Sequence, residues 1–105
     1  MNYKHSLIRV FQQDFDKIDS MGGKRGFVCD WNLPRKHTLS YSSLKEGEKA
    51  AEEAFHILNA PLDILSPYQR EIVRDHRSHS LSVGDVVEVE GVEYLCCSRG
   101  WEKKA

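Results

Sequence analysis

The sequence predicts an α+β fold: a small antiparallel sheet of about three to five strands packed against one main helix, plus a short second helix. Three observations carry this. The N-terminal segment alternates as a strand does, the middle of the chain repeats apolar residues at helical spacing, and the C-terminal third reads as a two-stranded ribbon with its own turn. At 105 residues the chain fits one domain, 1–105, because chains of about 100–150 residues usually build a single core.

Tyr3 to Gln12 puts Leu7 and Phe11 on one side and Ile8 and Val10 on the other. With both sides partly apolar, the pattern predicts a central strand covered on both faces. Asp14 to Gly26 is polar and ends in Met21-Gly22-Gly23-Lys24-Arg25-Gly26, which predicts a mobile loop or wide turn. Phe27 to Trp31 reads as a short second strand, stopped by Asn32-Leu33-Pro34. Arg35 to Ser40 reads as a further extended piece.

Ser43 and Glu46 have the spacing of a capping box and predict the main helix over 44–58. Ala51, Ala54, Phe55 and Leu58 recur on its apolar face, opposite Glu48, Lys49, Glu52 and Glu53. Lys49 and Glu53 stand one turn apart, the spacing of a weak ion pair. Asn59-Ala60-Pro61 ends the helix. Ser66-Pro67 opens a shorter helix to about Asp75, with the serine as cap and the proline in the first turn. Arg77 to His79 is a polar linker. Ser80 and Ser82 read as turn or bulge residues, and Gly84-Asp85 as a tight turn.

Val86 to Cys97 is the strongest strand signal. A two-residue turn at Glu90-Gly91 sets Val89 against Val92 and Val87 against Tyr94, giving one apolar face with Cys96. That register also sets Glu88 against Glu93, a small repulsion.

Fifteen basic and sixteen acidic residues nearly cancel, so bulk charge does not draw the chain to nucleic acid or anionic lipid. Residues 1–42 carry seven Lys/Arg against four Asp/Glu, and residues 43–105 carry eight against twelve, a split that opposes the two halves within one fold. No run approaches the ~20 apolar residues of a membrane span, and Met1 to Ser6 leads into no signal-peptide core. Cys29, Cys96 and Cys97 are an odd number with two adjacent, which predicts reduced thiols in a cytoplasmic setting.

Chemistry-bearing patterns are sparse. Cys96-Cys97 and His76-x-x-His79 lack the paired spacing of a zinc site, and adjacent strand cysteines point to opposite faces. Cys29, Asp30 and His37 supply a nucleophile, an acid and a base without a local signature. The 21–26 segment lacks the spacing of a phosphate loop. The expectation is therefore a non-enzymatic protein with no cofactor and no metal. Trp31 and Trp101 read as residues closing the core's edge. A candidate binding surface comprises Trp101, Arg99, Lys24, Arg25, Arg35 and Lys36. Its basic 17–36 portion, with Lys17, gives the alternative of a nucleic-acid-associated module.

Asn59-Ala60-Pro61, the run Arg77 to Val87 with Ser80-Leu81-Ser82-Val83-Gly84-Asp85 at its centre, Tyr94-Leu95-Cys96 and Gly100-Trp101 resemble the YodL-like domain. The resemblance covers about residues 50–101, with Phe55 and Asn59 at the helix positions and Trp101 where phenylalanine is more usual. It implies an accessory protein of phages, plasmids or bacterial mobile elements. The partner so implied is a host protein, of the kind met when host defence or transcription is blocked. It implies no catalytic residue, and Leu81, Val83, Gly84, Asp85, Val86 and Val87 read as structural.

Overall fold

A computed structural model describes residues 5–104. In chain order the elements are β1 (Ser6–Gln13), α1 (Phe15–Ser20), β2 (Arg35–Ser43), α2 (Gly47–Asn59), α3 (Pro67–Val73), β3 (Val86–Val89), β4 (Val92–Cys97) and β5 (Gly100–Lys103). The strands form one antiparallel sheet in the order β2-β1-β3-β4-β5. The α+β architecture expected from the sequence is present.

The C-terminal ribbon forms in the register set by its turn: Val89 faces Val92, Val87 faces Tyr94 and Glu88 faces Glu93. Glu90 (φ 49°) and Gly91 (φ 81°) take the left-handed conformations of a two-residue hairpin turn. The Glu88–Glu93 repulsion is offset across the sheet, because β1 pairs Arg9 with Glu88 and the guanidinium lies 3.8 Å from the carboxylate. β1 lies between β2 and β3, so it is interior. Ile8 and Val10 point to the helix side and are fully buried, whereas Leu7 is 42% exposed. The expected cover on both faces is thus corrected: the face bearing Leu7 and Arg9 is open at that end. Tyr3 and Lys4 lie outside the described residues.

α2 packs on the other face, with Ala50, Ala51, Ala54 and Ile57 buried against Ile8, Val10, Tyr41, Val87, Val89, Tyr94 and Cys96. The alanines let the helix approach the sheet closely. Phe55, expected inside, is 40% exposed at the margin, and Ile57 takes the buried place. The capping box expected at Ser43 and Glu46 is absent. Ser43 is the last residue of β2, paired with Ser6, and its hydroxyl accepts from Lys45 N (2.9 Å) in the connecting turn. Glu46 occupies the cap position without a side-chain bond. Lys49 and Glu53 make no ion pair among the described residues. α2 does end at Ala60, extended ahead of Pro61. α3 carries the expected cap, Ser66 Oγ accepting from Gln69 N while Gln69 Oε1 accepts from Ser66 N.

Two segments differ from expectation. Asp14 caps a short helix, α1, in place of the expected loop or wide turn; Gly22 and Gly23 close it by donating to Asp19 and Ile18 carbonyls. Residues 27–31 are not a strand. They belong to a strap, residues 21–34, that crosses the sheet face opposite α2, tied there by Cys29 to Cys97 and by Trp31 to Glu102; on that face Val86 and Leu95 are 3% and 0% exposed. The side-chain amide of Gln13 donates to Gly26 O (2.8 Å), and Arg35 donates to the carbonyls of Asp30, Trp31 and Leu33. Cys29 joins Cys97 in a disulfide across 68 residues of sequence. That corrects the reading of three reduced thiols, since adjacency excluded only a Cys96–Cys97 bond. A covalent loop of this length stabilises by about 4 kcal/mol on the chain-entropy account.

The edge strand β2 is bulged. Val10 faces Leu39 and Phe11 faces His37, leaving Thr38 as the extra residue. Near its end, Tyr68 from α3 donates its hydroxyl to Ser42 O (2.9 Å). Among the described residues, no helix is long and apolar enough to cross a membrane.

Gly84 and Gly91 separate two reasons for glycine. Both have positive φ, but a Cβ on Gly91 would meet nothing within 4 Å, whereas one on Gly84 would lie 2.5 Å from Gln13 Nε2 and 2.9 Å from Val28 O. Gly91→Ala is expected to cost about 1 kcal/mol in urea unfolding, the backbone term alone. Gly84→Ala should cost about 3 kcal/mol or more, because the strap must also move. Equal losses would show that the strap is not packed on Gly84.

Candidate functional site

The densest polar cluster lies beyond the end of α2, where β1 meets the start of β3. Gly84 (φ 100°) is the third residue of a turn closed by Asp85 N to Ser82 O (3.0 Å). That turn sends the Asp85 side chain inward, where it is wholly buried. Its carboxylate accepts from Gln13 N (2.8 Å), Ser82 N (2.9 Å) and Gln12 Nε2 (3.2 Å), and His79 Nδ1 lies 3.8 Å away. Burial raises the Asp85 pKa, opposed by these N–H donors and by His79.

Gln12, also wholly buried, is the hub. Its amide nitrogen serves the carbonyls of His79 (2.8 Å) and Ser80 (3.3 Å) as well as Asp85. Its oxygen accepts from Thr38 Oγ1 (2.8 Å), which the bulge in β2 aims inward. His76 Nε2 lies 2.8 Å from the same oxygen, so His76 carries its hydrogen on Nε2. Burial first, and the charge of His79 second, hold the His76 pKa below 6.5. Asn59 fastens the same segment from α2, its amide donating to Leu81 O (2.9 Å) and accepting from Leu81 N (2.8 Å).

A carboxylate, two imidazoles and hydroxyls thus converge, but each polar atom named here faces a partner inside the fold. His76 and His79, weighed in the sequence as metal ligands, serve Gln12 and the 79–80 backbone. Cys29, Asp30 and His37 do not form a nucleophile set: Cys29 is in the disulfide, and His37 Nε2 meets Ser40 Oγ (2.6 Å) on β2. Cys96 is the free thiol, its pKa pushed up to about 11 chiefly by burial, and is correspondingly unreactive.

Two hollows of about 240 and 210 Å³ lie beside this cluster, both lined by Lys36, Arg77 and Ser78. Arg25 lines the second but is held by Asp19 through Nε and Nη2 and lies over the Phe15 ring. Lys17 and Lys24 are exposed. Arg35 is turned inward, donating to Gly84 O (2.8 Å) as well as to the strap; burial pulls its pKa down against the nearby carboxylates of Asp85, Asp30 and Glu93. It is a structural residue, which corrects its place in the candidate surface.

Trp101 and Arg99 belong to the other edge of the sheet, at β5 and the turn before it. Trp101 is half-buried against the core, edge-on to Phe55 and donating to Glu52 Oε1 (3.3 Å), so it closes the core as its position suggested. Arg99 is exposed. The candidate surface is therefore not one face. Gln12, Gln13, Arg77 and Glu102 were not singled out in the sequence, where polar residues carry no periodic signal of burial or convergence. No family model, curated protein or solved structure matches the chain.

Asp85→Asn would turn an amide N–H toward Ser82 N and Gln12 Nε2. Equilibrium unfolding in urea should show a loss of about 1–3 kcal/mol at neutral pH, and an unchanged midpoint would exclude the assigned bonds. A base with a lowered folded-state pKa contributes fully above 6.5 and loses that contribution as pH falls, because the unfolded chain then binds more protons. Between about pH 7 and 5, the wild type should lose stability relative to His76→Gln, which keeps an N–H donor but cannot titrate. Parallel curves would remove His76 from the acid response.

Proposed function

We propose that this chain is a non-enzymatic accessory protein of a phage or mobile element that binds a host protein. The observation that carries the binding role is an exposed apolar set around α3. Leu44, Leu62, Ile64 and Tyr68 are each 62–63% exposed. Tyr68 is pinned by its hydroxyl to Ser42 O, two residues before Leu44, while Leu62 and Ile64 lie in the turn that leads into α3. The cap at Ser66 and the prolines at 61 and 67 stiffen this region. A rigid aromatic with aliphatic neighbours loses little conformational freedom on docking, the property of residues that dominate interfaces.

The polar cluster supports the same reading, since its acid and imidazoles are engaged in holding the fold. The mobile-element origin and the host target rest on the YodL-like resemblance; the cytoplasmic setting rested on three reduced thiols, and the Cys29–Cys97 disulfide removes that support. Nucleic-acid binding has less support: Arg35 is engaged internally and Arg25 is paired with Asp19.

The test is crosslinking capture from host lysate with wild type, Leu62→Glu and Ile64→Glu, all checked for fold by circular dichroism. One host protein recovered at near-equal molar amount should fall about tenfold or more with either variant. Equal recovery by Ile64→Glu would overturn the assigned surface. Retardation of DNA by the wild type in a low-salt gel shift would favour the alternative.

A further inference from the structure

The strap brings together three groups that the sequence keeps far apart: Cys29, Cys97 and Glu102. Their ligand atoms lie within 4.8 Å of one another. Cys97 and Glu102 share the sheet face opposite α2, because β4 and β5 pair Leu95 with Glu102 and Cys96 with Trp101. Glu102 is oriented from behind, with Trp31 Nε1 donating to its Oε1 (2.8 Å). The other oxygen, Oε2, is left toward the sulfurs, 3.7 Å from Cys29 Sγ.

We propose that Cys29, Cys97 and Glu102 form a two-state thiol site, a disulfide when oxidised and a site for a soft divalent metal of the zinc class when reduced. Cys29 is held in place from both sides. Gly26 O is bonded by Gln13 before it, and the Asp30 and Trp31 carbonyls are bonded by Arg35 after it. Trp31 itself is tied to Glu102. These tethers do not depend on the S–S bond, so reduction leaves both thiols beside the carboxylate.

The chemistry balances. A dithiol reductant gives two electrons and two protons to the disulfide and is itself oxidised to a disulfide. Each thiol then loses its proton to solvent as the metal binds. Ligand distances of about 2.3 Å for sulfur and 2.1 Å for oxygen give tetrahedral edges of about 3.6–3.8 Å. The Cys29–Glu102 separation already matches; the two sulfurs must part to such an edge, and their Cα atoms are 5.0 Å apart. Water completes the fourth position. Two thiolates and a carboxylate leave one surplus negative charge, and the Lys104 ammonium, 5.3 Å from the Trp31 ring, stands nearby. The two sulfurs and the carboxylate select zinc or cadmium over magnesium or calcium.

The test is titration of the full chain with cadmium(II), read by thiolate-to-metal charge-transfer absorbance. Protein reduced with a phosphine should bind one metal per chain, and zinc(II) should displace it. The oxidised protein should bind none and should regain binding on reduction. Cys29→Ser and Cys97→Ser should abolish saturable binding, and Cys96→Ala should retain it. Glu102→Gln should weaken binding by about tenfold or more, and Trp31→Phe by about tenfold. No charge-transfer band in reduced wild type would overturn the proposal, as would an unaltered affinity in Glu102→Gln or Cys29→Ser. Loss of the fold on reduction alone, seen by circular dichroism, would also overturn it, because the tethers would then have failed.

Discussion

The fold depends on a buried carboxylate. Asp85 is charged chemistry at zero exposure, and such a group persists only where N–H donors replace the water it has lost. Gln13 N, Ser82 N and Gln12 Nε2 do so, and in doing so they fix the end of β1 against the start of β3. The consequences spread outward. Gln12 holds the bulge residue Thr38 and the linker imidazole His76, while the neighbouring Gln13 reaches across to the strap at Gly26. Sheet order, bulge, linker path and strap all meet at this one acid.

How much of this the sequence reveals follows from the range of each interaction. The β3–β4 ribbon is legible because its register is set by a two-residue turn and by partners within about ten positions. The α3 cap is legible for the same reason. Phe27 to Trp31 has strand composition, but its backbone serves Arg35, and Phe27 and Val28 stay 65% and 52% exposed beside a sheet they never join. The chain adds no sixth strand there. Ser43 has cap chemistry, yet pairing with Ser6 keeps it in β2, a tertiary preference that overrides the local one.

The candidate sites were less legible still. Asp85 reads locally as a turn residue, and nothing near it announces burial. Gln12 and Gln13 close an alternating segment and look like its solvated end. The Cys29–Cys97 bond spans 68 residues, so counting cysteines could exclude one pairing without selecting another. The basic residues of 17–36 look like a group in the sequence. In space Arg35 faces inward, Arg25 returns to Asp19, and Lys36 lines a hollow together with Arg77 from the other half of the chain.

The two margins of the sheet are unequal in what they offer another extended chain. β5 presents four residues. β2 presents nine, but the extra residue at Thr38 breaks its hydrogen-bonding rhythm and Tyr68 occupies a carbonyl near its end. An interrupted border of this kind opposes the strand-by-strand addition through which neighbouring copies build a fibre, and the shorter margin opposes it by its brevity.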